Sequence, residues 1–254
     1  MINLTEYNPP DTLLKHRVIL ITGASQGLGR SCALSFAAFG ATVILHGKDT
    51  SKIESVYDDI LKNNGPEPYG ISLDFNKASE NDYATMATEI ENNLGRLDGI
   101  VHSAVFMTKL SPLNDKNLSS WRATMNVNLI APATINRACW PLLLDSPDAS
   151  LIYVSENHSS TSSPYWGQIA ASKHALETLA KTQARELRNI PSIRTNIVVP
   201  GPIKTASHQT AYPGDLPSRQ ISPDQIMTPF LFLIGPDSKD VSGEKIYAQT
   251  RTSV

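Results

Sequence analysis

The 254 residues predict an α/β protein: one doubly wound domain, with a seven-stranded parallel sheet and helices on both faces. Two observations carry that expectation. Short β-branched runs alternate with longer amphipathic stretches, the pattern of successive βαβ units. A glycine-rich turn also joins the first run to the first amphipathic stretch. No internal repeat, low-complexity tract or linker divides the chain, so 1–254 reads as a single domain with 1–16 as an N-terminal extension.

Strands are expected at RVILI (17–21), TVILH (42–46), YGISL (69–73), GIVH (99–102), LIYVS (151–155), TNIVV (195–199) and KIYA (245–248). Helices are expected at 28–39, 52–63, 79–94, 118–144, 166–188 and 223–234. In the fifth helix, Ala171, Ala175, Leu176, Leu179 and Ala180 recur at helical spacing, an apolar face to pack on the sheet or on another subunit. The stretch PGPIKTASHQTAYPGDLPSRQISP, 200–223, shows no clear element. A segment of this kind inside a compact domain reads either as a lid over a site or as disorder.

Hydrophobic residues make up 41% of the chain and charged residues 18%, with a formal charge of -2. No basic cluster offsets the slight acidic excess, which argues against a nucleic-acid partner. The first sixteen residues, MINLTEYNPPDTLLKH, lack the basic start and apolar stretch of a secretory signal. No apolar run approaches the roughly 18 residues that cross a bilayer, so a cytoplasmic, membrane-free protein is the default expectation. Cys32 and Cys139 lie far apart inside expected helices and read as small buried hydrophobes rather than a disulfide or a catalytic thiol. No His, Cys, Asp and Glu spacing suggests a metal site.

The strongest local signal is ITGASQGLGR, 21–30. Gly23, Gly27 and Gly29 allow a tight turn and close backbone approach to a pyrophosphate. The helix that follows directs its unpaired N–H groups at the negative charge, which places Ser25 and Leu28 in the same cradle. With a strand before and a helix after, the stretch reads as the phosphate site of a Rossmann-type domain.

The spacing T-G-x-x-x-G-x-G, Thr22 through Gly29, resembles the short-chain dehydrogenase/reductase family. The similarity continues in LDF with Asp74, NVNL with Asn128, the Lys173 region, PGPIKT (200–205) and VSGEKIYA (241–248), and covers roughly residues 6 to 249. It implies adenine contact at Asp74 and a backbone clamp on the nicotinamide carboxamide at Pro200, Gly201, Ile203 and Thr205. It also implies that Ser103 lies against the cofactor, and that homodimers or homotetramers form through the fourth and fifth helices.

Where NAD-using relatives carry an acid at the end of the second strand, this chain has Gly47 followed by Lys48. A lysine there can pair with a 2′-phosphate, so NADP(H) is favoured over NAD(H). Asp49 is the counter-evidence if its side chain turns inward.

The family passes a proton from a tyrosine, assisted by a lysine one helical turn later, a serine and an asparagine. Mapped by motif, Asn128 and Lys173 are present, but Ile169 stands in the tyrosine position and Glu156 in the serine position. Val105 stands where the family has a glycine, and Ser103 where it has an asparagine. An isoleucine has no ionisable hydrogen to give. The expected chemistry is NADP(H)-dependent reduction of a small carbonyl or oxidation of an alcohol, impaired or routed through an unusual donor, with Tyr165 and Glu156 as substitutes. The alternative is a non-catalytic NADP(H)-binding sensor or interaction protein. A Glu156–Lys173 ion pair is expected between the two opposite charges, and His102 and His158 read as ordinary polar residues.

Overall fold

The computed structural model describes residue 4, residues 6–216 and residues 220–249. Residues 1–3 and 5 of the N-terminal stretch and 217–219 of the expected lid lie outside the described residues.

Seven strands, β1 (Val18–Thr22), β2 (Thr42–Gly47), β3 (Tyr69–Ser72), β4 (Gly99–His102), β5 (Ala149–Val154), β6 (Ile193–Val199) and β7 (Lys245–Tyr247), pair in the order β3-β2-β1-β4-β5-β6-β7. Every pairing is parallel. The chain winds outward from β1 to β3 and then crosses back to β4, so the order reverses between β1 and β4. In such sheets a crevice opens at that point, above the carboxyl ends of the strands.

Both faces are covered, because parallel strands with apolar residues on each side must be buried twice. On one face α1 (Gly27–Ala38), α2 (Thr50–Lys62) and α9 (Thr228–Ile234) pack through Phe36, Ile60 and Phe230. On the other lie α3 (Glu80–Leu94), α5 (Ala131–Ala138) and α7 (Gly167–Glu186), with Ile90, Ile135 and Leu176 in the core. In the N-terminal extension Leu13 and Leu14 enter the first of these cores, and Tyr7 stacks edge-on against Phe232.

Four expectations are corrected. The single helix expected over 118–144 is α4 (Leu118–Met125), a π turn (Asn126–Ile130), α5 and α6 (Trp140–Asp145). Pro132 and Pro141 stand in the first turns of α5 and α6, where neither can supply an N–H to a ladder continued from the turn before it. The segment 200–223 is not wholly irregular: it holds α8 (Ala206–Ala211), whose N-cap Thr205 hydroxyl accepts from the His208 N–H, and a parallel bridge between Ile203 and Ile221. The helix expected from 223 begins as a 3-10 turn, Pro223–Ile226, and becomes α9 only at Thr228. On α7, Ala171 is exposed, and the buried face carries Ser172, Lys173 and Glu177 beside Leu176 and Ala180. Polar residues on that face belong to the site rather than the core. Cys32 and Cys139 are both buried free thiols, and burial pushes Cys139 up to about 12.

Candidate functional site

The crevice holds a cavity of about 890 Å³ that runs from the glycine turn after β1, past the ends of β4 and β5, to α8. Gly23, Ser25, Gly27, Leu28, Gly29, Lys48, Asp74, Ser103, Lys173, Pro200, Gly201, Ile203 and Thr205 all line it, with Glu156 and Ile169.

The turn at 23–29 is built so tightly that Gly23 and Gly29 have no space for a side chain. A Cβ on Gly29 would stand 2.3 Å from the Gly23 carbonyl oxygen, and one on Gly23, whose φ is +70°, would stand 2.9 Å from the Ala104 Cα. That backbone, with the N-terminus of α1 behind it, fits a pyrophosphate. His46 at the end of β2 fixes the turn from below: its Nδ1 lies 3.4 Å from the Gly23 N–H and its Nε2 lies 3.0 Å from the Leu73 carbonyl oxygen. Its ring stacks on Phe75 at 3.9 Å, and burial pulls its pKa down to about 4, so the neutral ring accepts at Nδ1 and donates at Nε2. Sequence reasoning missed this residue; the signal available was a histidine ending an otherwise apolar strand.

At the outer end of β2, Gly47 packs closely against Ser25 and Ile53, where a Cβ would lie 3.2 Å from Ile53, and Lys48 is exposed at the cavity rim. Asp49 does not turn inward. Its carboxylate caps α2, accepting from the Lys52 N–H and the Ser51 hydroxyl. Asp74 accepts from the Asn76 N–H, which closes the turn after β3. Gly201, at φ +74°, is clamped by Gln249, whose side-chain amide donates to the Pro200 and Pro202 carbonyls.

Lys173 rises from α7 into the buried end of the cavity and donates to the Val154 carbonyl at 2.7 Å. Burial pulls its pKa down to about 8, against the nearby carboxylates of Glu156 and Glu177. The expected Glu156–Lys173 ion pair is not formed: the ammonium is held by backbone, and Glu156 instead accepts from the Asn157 N–H at 2.9 Å. Burial raises the Glu156 pKa despite Lys173. Asn128 lies behind the cavity wall inside the π turn, where its Oδ1 accepts from the Phe106 N–H and its Nδ2 donates to Ser172 Oγ. It ties the segment after β4 to α7. Below these groups, Ser155 and Ser159 donate to Glu177, which pairs with Lys245 at 2.7 Å.

Ile169 is 1% exposed and packs with Trp166 and Ala211, flanked by Met107, Leu110, Ala170 and Tyr212. Tyr165 points away from the cavity: it is 58% exposed, and its left-handed φ of 71° turns Trp166 inward in its place. His102 sits beneath the sheet end, bonded to Asn136 and stacked on Tyr153, whereas His158 lines the cavity. Tyr212 and His208, both on the cavity wall, carry no sequence expectation because α8 itself was not foreseen. Among the described residues no group of three or more His, Cys, Asp or Glu is placed to hold a metal ion, and no helix is long and apolar enough to cross a membrane.

A family model for short chain dehydrogenases matches residues 17–215. The oxidoreductase YciK of Escherichia coli (strain K12) is 35% identical over 243 residues, 96% of each chain. Its solved structure superimposes with a TM-score of 0.93 over 96% of this chain and 100% of that one. A short chain dehydrogenase from Escherichia coli CFT073, solved in complex with NADPH, is 35% identical with a TM-score of 0.92, over 95% of this chain and 100% of that one.

Proposed function

The chain belongs to the short-chain dehydrogenase family, and we propose that it is an NADP(H)-dependent oxidoreductase whose site has lost the side chains of ordinary proton transfer. One observation carries this reading: a single cavity joins the glycine turn, Lys48 and Lys173 to a chamber floored by Ile169. The residues that would hold the dinucleotide are the Gly23–Gly29 backbone at the pyrophosphate and Asp74 at the adenine. Lys48 would meet a 2′-phosphate, Lys173 the ribose, and the Pro200–Thr205 backbone the carboxamide. When bound, the nicotinamide supplies the hydride. The NADPH complex of the Escherichia coli CFT073 relative, and the outward turn of Asp49, support NADP(H) over NAD(H).

The protein's own chemistry at the reacting end is thin. Ile169 gives no proton. Glu156, with its pKa raised, is the one carboxyl beside Lys173 on the cavity wall able to give one. General acid help is worth about 10²–10⁴ in rate, so a carbonyl reductase without its phenol is slow. Exposed Leu118, Ile130 and Leu144 on α4 to α6 support a homodimer or homotetramer. A second reading, a non-catalytic NADP(H) sensor, is favoured by the sealing of the tyrosine position with a buried isoleucine.

Titration with NADPH and NADH by fluorescence, followed by NADPH oxidation with a panel of ketones and quinones, tests the proposal. Tighter binding of NADPH with slow turnover is expected. Binding without any turnover would select the sensor, and failure to bind either dinucleotide at millimolar concentration would overturn both.

A further inference from the structure

The chamber floored by Ile169 has a phenol of its own, brought from the opposite side. Tyr212, the residue that ends α8, packs into the small apolar cluster formed by Trp166, Ile169 and Ala211. Its hydroxyl lies 3.1 Å from His158 Nε2, and His158 Nδ1 lies 2.9 Å from the Ser163 hydroxyl. The His158 ring stacks on Trp166 at 4.2 Å, and Tyr212 leans on both Trp166 and His208. All of these side chains line the same cavity as Lys173.

Several polar groups on the chamber wall already have partners. Ser155 donates to Glu177, the Thr205 hydroxyl caps α8, and Glu156 accepts from Asn157. His208 is engaged by Asp215 at 2.9 Å. Tyr212 differs because its partner can change roles. Burial lowers the His158 pKa, so the ring is neutral near pH 7 and carries one movable N–H. With that hydrogen on Nε2, the imidazole donates to the phenol oxygen, Ser163 donates to Nδ1, and the phenol O–H is free to turn toward a ligand. Burial, with Glu156 and Asp215 nearby and against a hydrogen bond from Trp166 to the phenol oxygen, raises the Tyr212 pKa, so the phenol keeps its hydrogen.

The charges select among ligands. Glu156 and Asp215 stand on this part of the wall, while Lys173 bonds the Val154 carbonyl and is assigned above to the ribose, and Lys48 belongs to the far end. A carboxylate ligand would meet Asp215 here and find no cation left to pair with it, whereas an uncharged aromatic group meets Trp166, Ile169 and Ala211.

We propose that Tyr212, oriented by His158, is the hydrogen-bond donor for the oxygen of an uncharged aromatic carbonyl held in the Ile169 chamber. This deepens the oxidoreductase reading and rests on it for the ligand's identity as a substrate, but the binding it describes is measurable without dinucleotide.

The test uses two probes of nearly equal shape, acetophenone and ethylbenzene, followed through the fluorescence of Trp166, with Trp166→Phe as the blank. The quantity read is the ratio of the two affinities, which cancels changes in apolar packing. Tyr212→Phe is expected to lower the acetophenone-to-ethylbenzene ratio by about threefold or more, the range of one neutral hydrogen bond. A ratio that changes less than that overturns the proposal, as does the absence of any quenching by either compound in the unaltered protein. Should Tyr212→Phe fail to fold by circular dichroism, His158→Phe keeps the stack on Trp166 and removes the ring nitrogens. It is expected to lower the same ratio, and an unchanged ratio overturns the proposal. NADPH titration of the same samples keeps the readings apart: lost dinucleotide binding with an intact probe ratio counts against the function proposed above and leaves the Tyr212 assignment standing.

Discussion

The two ends of the cavity are made differently. At the dinucleotide end the work is done by backbone: a turn whose glycines admit no Cβ, a helix N-terminus, and the clamped peptide groups around Gly201. At the reacting end everything depends on which side chain occupies a position, and there Ile169, Glu156, Tyr212 and His158 line the cavity with Lys173. Backbone sites tolerate little sequence change because their geometry is the function, whereas a side-chain site can lose its chemistry and leave the fold intact. The contrast predicts that substitutions at one end abolish binding, while those at the other redirect it.

The largest expected effect is at the glycine turn. Gly29→Ala would place its new carbon 2.3 Å from the Gly23 carbonyl oxygen, so the turn must open. Loss of NADPH binding at millimolar concentration, with a lowered unfolding midpoint, is expected from a fluorescence titration and a thermal melt. Retained binding would break the backbone side of the comparison.

Lys173 stands where the two ends meet. Its folded pKa, about 8, lies below the ordinary lysine value of 10.5, so at pH 7 its buried charge opposes folding. Between those two values the unfolded chain holds the proton more firmly, and stability therefore rises with pH through that window. Lys173→Met should weaken NADPH binding yet raise the melting midpoint by a few degrees at pH 7, since about 1 kcal/mol is worth ~2–4 °C in a chain of this size. The advantage should shrink as pH climbs past 8. A midpoint lowered by the substitution at pH 7 would contradict the burial argument.

Smaller effects sharpen the contrast. Lys48 is exposed, and a solvent-facing charge pair is worth up to ~1 kcal/mol, so Lys48→Ala should weaken NADPH by about fivefold and leave NADH unchanged. Equal losses for both dinucleotides would remove its assignment to the 2′-phosphate. The smallest effect is expected at Tyr165, whose left-handed backbone is strained and whose ring is in solvent. Tyr165→Gly relieves the strain but frees the unfolded chain, and should change stability by less than about 1 kcal/mol. Acetophenone binding should be unaffected, and a large loss would return Tyr165 to the site.

What the sequence made legible follows the same division. Alternating β-branched and amphipathic runs gave seven strands in a doubly wound order, and the glycine turn stood out because positive φ and close packing leave a mark in residue type. Ile169 and Glu156 are assigned to the site through the family resemblance, by their places in its motif. What escaped was set by three-dimensional capture: the ammonium of Lys173 bonds the Val154 carbonyl rather than Glu156, a choice invisible in a string of charges. Tyr212 was hidden because α8 is six residues long and lies in a Pro- and Ser-rich stretch, although Thr205 is a recognisable N-cap. His46 is marked only by its place near the end of an apolar strand, and its stack on Phe75 and bond to the Leu73 carbonyl need the fold to be seen.

The central claim is that an intact seat for the dinucleotide lies beside a position that can no longer give a proton. The rate of ketone reduction at saturating NADPH, in the double variant Ile169→Tyr with Glu156→Ser against the unaltered chain, tests it most directly. A gain of about 10² or more with an unchanged NADPH dissociation constant is predicted, the share of rate that general acid help supplies. Equal rates in the two proteins, with NADPH bound equally well, would contradict it.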